Sequence, residues 1–416
     1  MSGHTDPRTI LRNSVAPESL AAGPYQIELA KNPLTPEPLA DLTVLRVDQP
    51  ELLYVMTGTV GTDDAPIYVS SDLVRWKKHG YLFGGAERFN RGYPKGKPLL
   101  FKTGALCPRS VGIHHSKTLK KYVAYFGAIP VENGRCGNDR DIQLYVATSD
   151  SPTGPFGTAT GEPFALSATC PKLSKGLEGS YDGSVVWNHS GAPWLAYSRV
   201  NKQGYATYLT RLRANRPTHL LCQDTNIPKR LVSPKNPKLL EELSRSSELG
   251  DFKLGFNYNR EDAPLRYIHG VIEGTEIFWH PLKHLYYAIF SANSYRSSYY
   301  QTFWVAAKSI RGLRDRAKNR LSGRHLLMSG TRNVGHGSVV EGPAGDFYYV
   351  AHVMPTQELC RLESSQQPPR ACARYPYLFP MNFEDRGDSE GAPFLAPTVL
   401  DEVEDVFTEV ITRRNR

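Results

Sequence analysis

Asp182-Gly-Ser-Val-Val-Trp187 is a short alternating segment opened by a carboxylic acid, and after a tight turn it returns through the aromatic-rich Pro193-Trp-Leu-Ala-Tyr197. The same pattern occurs four more times. Asp41-Leu-Thr-Val-Leu-Arg-Val47 leads to Leu52-Leu-Tyr-Val-Met56, and Ser110-Val-Gly-Ile-His114 leads to Lys121-Tyr-Val-Ala-Tyr-Phe126. Glu273-Gly-Thr-Glu-Ile-Phe-Trp279 leads to Leu285-Tyr-Tyr-Ala-Ile-Phe290, and His336-Gly-Ser-Val-Val340 leads to Phe347-Tyr-Tyr-Val-Ala351. Alternation at period two in segments rich in Val, Ile, Tyr and Phe predicts strands. Such hairpins cannot bury both faces alone, and a unit returning roughly every 60 to 90 residues predicts a radial repeat.

The expected fold is therefore all-β, a five-bladed β-propeller. The first strand of each propeller blade lines the central axis, so the opening residues converge although they lie far apart in sequence. Asp41, Asp182, Glu273 and His336 are expected to share one pocket. A single Asp-Gly usually caps its own turn, and it is the agreement in position across blades that converts these residues into a site. A second repeat supports the assignment. Ile67-Tyr-Val-Ser-Ser-Asp72, Leu144-Tyr-Val-Ala-Thr-Ser149 and Phe303-Trp-Val-Ala-Ala307 share a Val followed by small residues, and are expected as third strands.

Composition agrees. The chain has 416 residues, 40% of them hydrophobic, with 23 Tyr and 16 Phe, which suffices for cores between packed sheets. Closed β architectures run long as one unit, so a single large domain is expected over residues 31–416. Residues 1–30 are a polar N-terminal arm, and residues 222–257, rich in Pro, Lys, Glu and Ser, are an insertion between blades three and four. The segment from Arg374 onward completes the fifth blade. No apolar run reaches the ~18 residues of a membrane span. The start, Met1-Ser-Gly-His-Thr-Asp-Pro7, lacks the basic and then apolar pattern of a secretory signal, so the chain is expected to be either cytoplasmic or shorn of its leader.

The six cysteines, Cys107, Cys136, Cys170, Cys222, Cys360 and Cys372, include no Cys-x-x-Cys spacing, which argues against zinc and dithiol redox roles. Cys360 and Cys372 bracket a polar loop and are the expected disulfide. Asn188-His-Ser190 is an N-glycosylation sequon on an expected hairpin turn. Together these features favour a secreted protein. The net charge of +9 favours anionic surroundings such as an acidic polysaccharide. The basic run from Arg311 to Arg324 is expected to be a solvated connector. No nucleic-acid motif accompanies it, and a monomer with no nucleic-acid or membrane partner is expected.

Several phrases together resemble glycoside hydrolase family 43: Ala40-Asp-Leu-Thr-Val44, Tyr54-Val-Met-Thr-Gly-Thr59, Ser70-Ser-Asp-Leu-Val-Arg-Trp76, Val146-Ala-Thr-Ser-Asp-Ser-Pro-Thr-Gly-Pro-Phe156, Asp182-Gly-Ser-Val185, Ile272-Glu-Gly-Thr275 and Gly335-His-Gly-Ser-Val-Val340. The order of all of them is what is specific, and it extends from about residue 32 to about residue 397. The resemblance implies five blades around a pocket holding a catalytic Asp, a second Asp and a Glu, which maps onto Asp41, Asp182 and Glu273. It also implies an axial histidine, His336, facing a central cation such as a structural calcium ion or an ordered water, and a substrate-binding arginine on the last blade, Arg374 or its neighbour Arg370. No cofactor is required for turnover.

The chemistry demanded of such a pocket fits these residues. Inverting glycosidases use one carboxylate to activate water and one carboxylic acid to protonate the departing oxygen. Asp41 is the expected base and Glu273 the expected acid, kept protonated by the like charge of Asp182. Glu276 competes for the acid role, but on a regular strand an odd offset turns it away from Glu273. Leu106-Cys-Pro108 stands where the family commonly has Trp-Ala-Pro, so a sugar-stacking platform is missing there, and Trp279 or Tyr295 are the candidates to replace it. The expected substrates are arabinofuranosyl, xylosyl or galactosyl linkages of a plant or microbial polysaccharide. The alternative is a non-catalytic carbohydrate-binding propeller, against which the retention of all three acids argues. Gly-x-Ser-x-Gly, His-Glu-x-x-His and phosphate-binding glycine loops are absent.

Overall fold

The computed structural model describes residues 33–48, 50–60, 64–84, 99–101, 104–132, 135–137, 141–157, 161–201, 204–233, 253–255, 267–269, 271–293, 300–319, 334–353, 374–384 and 392–395. Five small antiparallel sheets follow one another along the chain. The first pairs Ala40–Val47, Leu53–Thr59, Pro66–Ser70 and Lys77–Tyr81 in sequence order. The second is built on Gly104–Ser116, Lys121–Glu132 and Gln143–Ser149, and the third on Ser180–Trp187, Pro193–Asn201 and Gly204–Arg213. The fourth holds Ile272–His280, Leu285–Ala292 and Gln301–Ala307. The fifth holds Val334–Glu341, Phe347–Val353, Tyr375–Glu384 and Ala392–Leu395.

What closes these sheets into a ring is the set of cores between them. Val55 and Phe83 of blade one meet Phe126 of blade two, Tyr125 meets Val185 and Tyr197 of blade three, and Leu209 meets Phe290 and Phe303 of blade four. Tyr287 and Trp304 then meet Tyr349 and Tyr377 of blade five, whose Val340, Val350 and Leu378 return to Val44, Tyr54 and Met56 of blade one. Each fully buried aromatic or branched side chain contributes roughly 1.5–3 kcal/mol, so every seam is held by several such groups. The five-bladed β-propeller is the observed fold. The last seam is also pinned by hydrogen bonds: Leu34 N–H donates to the Pro376 carbonyl and Leu39 N–H to the Arg374 carbonyl, both at 2.8 Å. Among the described residues the fifth sheet is completed by its own strands.

Each inner strand breaks register at one equivalent point: after Ala40, Arg109, Tyr181, Glu273 and Gly335. The residue at that β-bulge has a left-handed backbone in all five blades: Asp41 (φ 51°), Ser110 (29°), Asp182 (53°), Gly274 (62°) and His336 (44°). A non-glycine residue held there costs roughly 1–3 kcal/mol, and bulges of this kind re-aim side chains at the rims of closed sheets. The bulges also correct the sequence alignment of the blades. Gly274, not Glu273, is the counterpart of the other opening residues, and Glu273 precedes it by one position.

The basic run is not a solvated connector throughout. Ile310–Asn319 is an α-helix, and Ile310, Leu313 and Ala317 on one face join the core of the fourth blade. The spacing i, i+3, i+7 was present but hidden among arginines, which leave the buried stripe only three residues wide. The insertion begins with Cys222 bonded to Cys170, a cross-link over 52 residues. Lys229–Val232 then adds a strand to blade three, and Lys253–Gly255 pairs in parallel with Tyr267–His269. Cys107 is disulfide-bonded as well. The expected Cys360–Cys372 pair and the N-terminal arm lie outside the described residues. None of the described helices is long and apolar enough to cross a membrane.

Candidate active site

The five bulges form a ring, and each bulge N–H is received by a side chain of the preceding blade. Ser110 N–H donates to Thr59 Oγ1 (2.8 Å), Gly274 N–H to Ser198 Oγ (3.2 Å), His336 N–H to Ser291 Oγ (2.8 Å) and Asp41 N–H to His352 Nδ1 (3.2 Å). Thr59, Ser198, Ser291 and His352 occupy one equivalent place on the second strands, opposite Ala40, Tyr181, Glu273 and Gly335. Blade two has Gly127 there, and Asp182 N–H turns instead to Ser110 Oγ at 3.3 Å. This ring satisfies donors that the bulges remove from the sheet ladders and fixes where the opening side chains point.

Asp41, Asp182 and His336 meet on the axis. His336 Nδ1 lies 3.2 Å from Asp41 Oδ1 and its Nε2 lies 3.7 Å from Asp182 Oδ1, so the imidazole bridges the two carboxyls. Burial disfavours its charge, but Asp182, Asp41 and Glu273 together raise its pKa. Arg374 Nη1 donates to Asp41 Oδ1 at 2.8 Å. Burial acts to raise the Asp41 pKa. Arg374, then His336 and His352, with a hydrogen bond from Thr59, override it and hold the group well below the ordinary carboxylate range. Asp182 Oδ2 accepts from Ser198 Oγ (2.7 Å) and from Gly274 N–H (3.2 Å). Its pKa is raised, chiefly by burial.

Glu273 stands beside this pair and behaves oppositely to Asp41. It is 7% exposed, and burial followed by the charge of Asp182 pushes its pKa up to about 7. Two phenols donate to it, Tyr300 to Oε1 at 3.2 Å and Tyr181 to Oε2 at 3.4 Å. Glu276 is also drawn to the axis, because the bulge between Glu273 and Glu276 cancels the odd offset that a regular strand imposes. With Thr43, Gly112, Ser184, Gly337 and the acids of the bulges, it lines a cavity of about 30 Å³, room for about two water molecules. Ser184 Oγ donates to its Oε2 at 2.8 Å, and burial pushes its pKa up to about 7.

The roles expected of Asp41 and Glu273 carry a pH dependence. A general acid must be protonated, so kcat/KM is expected to fall as pH rises through about 7, the Glu273 value. Asp182→Asn removes a like charge that raises this pKa, so its alkaline limb is expected at lower pH than in the wild type. A pH series of kcat/KM on both proteins checks this, and an unmoved limb would contradict it.

Five of the seven residues singled out from sequence are thus brought together: Asp41, Asp182, Glu273, His336 and Arg374. Trp279 is elsewhere. It lies six residues beyond Glu273, ~20 Å along a strand, packed on His189 (4.0 Å between ring centres) and Tyr286 (4.8 Å), so it makes no platform at this pocket. Tyr295 lies outside the described residues. A calcium ion takes six to eight oxygens, so one on the axis beside His336 would be held mostly through water. Both ring nitrogens face carboxyl groups, and the described residues include no cluster of three or more His, Cys, Asp or Glu arranged to hold a metal ion. His352, Tyr300, Tyr181 and the serines of the ring were not singled out from sequence. Only His352 left a signal there, as the one residue of the strand Phe347–Val353 that is neither aliphatic nor a phenyl or phenol ring.

Comparison with known proteins agrees with this geometry. The family model described as glycosyl hydrolases family 43 matches residues 30–241. A search of curated proteins finds no match. Among solved structures, a thermostable family-43 glycoside hydrolase aligns with a TM-score of 0.57 at 18% identity, over 86% of this chain and 92% of that one. An endo-1,4-beta-xylanase from Bacteroides thetaiotaomicron VPI-5482 aligns with a TM-score of 0.54 at 17% identity, over 86% and 94%. An alpha-L-arabinofuranosidase from Lactobacillus brevis aligns with a TM-score of 0.57 at 13% identity, over 87% and 94%. With the family model matching half the chain and the propeller shared over nearly the whole of it, the chain belongs to glycosyl hydrolase family 43 and is a glycosidase.

Proposed function

We propose that this glycosidase inverts the anomeric centre, with Asp41 as general base, Glu273 as general acid and Asp182 as the group that keeps Glu273 protonated and oriented. One observation carries the reading: two buried carboxyl groups at the axis stand in opposite environments, Asp41 taking the Arg374 guanidinium at 2.8 Å and Glu273 taking the phenols of Tyr300 and Tyr181. Asp41 is held anionic by Arg374 and His336, and Glu273 is pushed up to about 7 by burial and Asp182. Such a divergence supports Asp41 as base and Glu273 as acid. Asp41 would take a proton from water as its oxygen attacks the anomeric carbon. The glycosidic bond breaks on the opposite face and its electron pair accepts the Glu273 proton. Arg374 holds Asp41 and is proposed to orient a sugar hydroxyl as well.

The proposed substrates are arabinofuranosyl, xylosyl or galactosyl linkages of plant or microbial polysaccharides, supported by similarity to proteins named xylanase and arabinofuranosidase. A secreted setting is proposed because Cys170–Cys222 and the disulfide at Cys107 need an oxidising compartment. The test is release of the aryl group from aryl arabinofuranosides, xylosides and galactosides, alongside wall polysaccharides. Turnover of an arabinofuranoside or xyloside is expected. Binding without turnover of any of them would favour a carbohydrate-binding propeller.

A further inference from the structure

In three blades a small hydroxyl, Thr59, Ser198 or Ser291, suffices to receive the bulge N–H of the next blade. In the fifth blade an entire imidazole does so, and the bulge it serves is that of Asp41. Because His352 Nδ1 accepts that N–H, the proton of the neutral ring sits on Nε2. That atom is buried and has no hydrogen-bond partner among the described residues. An orphaned buried donor works against stability, so the ring is not explained by closing the propeller, which a serine or threonine accomplishes elsewhere.

Its surroundings give the reason. His352 is fully buried, its Nδ1 is 3.8 Å from Asp41 Oδ1, and its ring lies flat on Tyr300, with 5.6 Å between ring centres and 4° between planes. The same Tyr300 donates its phenol to Glu273 Oε1. Ser291 completes the arrangement, accepting His336 N–H at 2.8 Å and hydrogen-bonding the Tyr300 oxygen. Space for the pair is reserved by Gly335, where a Cβ would stand 2.5 Å from Tyr300 Cε1. The His352 edge thus faces the proposed base and the Tyr300 hydroxyl reaches the proposed acid.

We propose that His352 and Tyr300 are a positioning pair that sets the separation and aim of Asp41 and Glu273 relative to one another. The pair touches no reacting atom and acts through the two carboxyl groups, so the proposal rests on Asp41 and Glu273 being base and acid. Misplacing a reacting group by about 1 Å costs on the order of a hundredfold in rate. The effect belongs in kcat, because both side chains are buried, His352 at 0% and Tyr300 at 1% exposure.

His352→Thr is the discriminating variant, since it installs at this blade the acceptor that Thr59 provides in blade one while removing the ring that Tyr300 leans on. Tyr300→Phe keeps the stack and removes the hydroxyl that donates to Glu273 and bonds Ser291. Kinetics and thermal melting of both are measured beside Asp41→Asn and Glu273→Gln. The expected result is a kcat roughly ten- to a hundredfold down in each of the two positioning variants, with KM little changed and Tyr300→Phe melting near the wild type. Should His352→Thr fail to fold, Tyr300→Phe alone decides. Wild-type kcat in either variant, with Asp41→Asn and Glu273→Gln inactive, would overturn the pairing and leave the base and acid in place. Normal turnover by Asp41→Asn or Glu273→Gln would instead overturn the assignment on which the pairing rests.

Discussion

Asp41→Asn and Glu273→Gln are each expected to lower kcat by ~10² to 10⁴-fold while the protein melts near the wild-type temperature, the usual cost of losing a general base or acid. Both substitutions preserve shape and remove only the titratable oxygen. Glu273→Gln retains an oxygen for the Tyr300 donor while it removes the proton and the acceptor of the longer Tyr181 bond. Glu276→Gln is the necessary control, since Glu276 is pushed up to about 7 as well. Its contact is Ser184, and it lines the axial cavity instead of standing against Tyr300 and Tyr181. Turnover within about tenfold of wild type is expected for it. Collapse of Glu276→Gln with survival of Glu273→Gln would exchange their roles.

Gly274→Ala is expected to be nearly as damaging although it removes no chemistry. Left-handed backbone alone does not explain this, because Asp41, Ser110, Asp182 and His336 tolerate it at the equivalent points. The difference is space. A Cβ at Gly274 would sit 2.6 Å from His336 Cγ and 2.7 Å from its Cδ2. The imidazole must then move, and with it the bridge between Asp41 and Asp182. The Gly274 N–H that donates to Asp182 and Ser198 moves too. A kcat loss on the order of a hundredfold is expected, with a destabilisation of about 1–3 kcal/mol from strain at this backbone conformation. Kinetics and denaturant melts of the purified variant check both. Wild-type kcat would mean that His336 does not hold the aspartates in place.

The sequence carried the architecture because a propeller writes its repeat into strand alternation. Asp41, Asp182 and His336 could be paired by eye since each opens a strand of the same form. What alternation cannot encode is the bulge. A bulge inserts one residue without any compositional mark, and it is this insertion that makes Gly274 the counterpart of Asp182 and carries Glu276 to the axis against the parity of a regular strand. Contacts made across blades were equally silent. Tyr300 and His352 are 52 positions apart in sequence, and nothing in either segment announces that their rings lie parallel. Trp279 misled because a tryptophan near an acid suggests a sugar platform. Its distance along an extended strand, ~20 Å for six residues, already argued otherwise. In the helix Ile310–Asn319 charge hid burial, since the core-facing Ile310, Leu313 and Ala317 are spaced among arginines.

The central claim is direct attack by water, activated by Asp41, on the face opposite the leaving group. Proton NMR of the first sugar released, recorded before mutarotation equalises the anomers, tests it with no mutation at all. The predicted result is a product of inverted anomeric configuration, since a base and an acid acting together on opposite faces permit a single displacement. A product that keeps the configuration of the substrate would require a covalent intermediate on one of the carboxylates, and Asp41 could then not be the base described here.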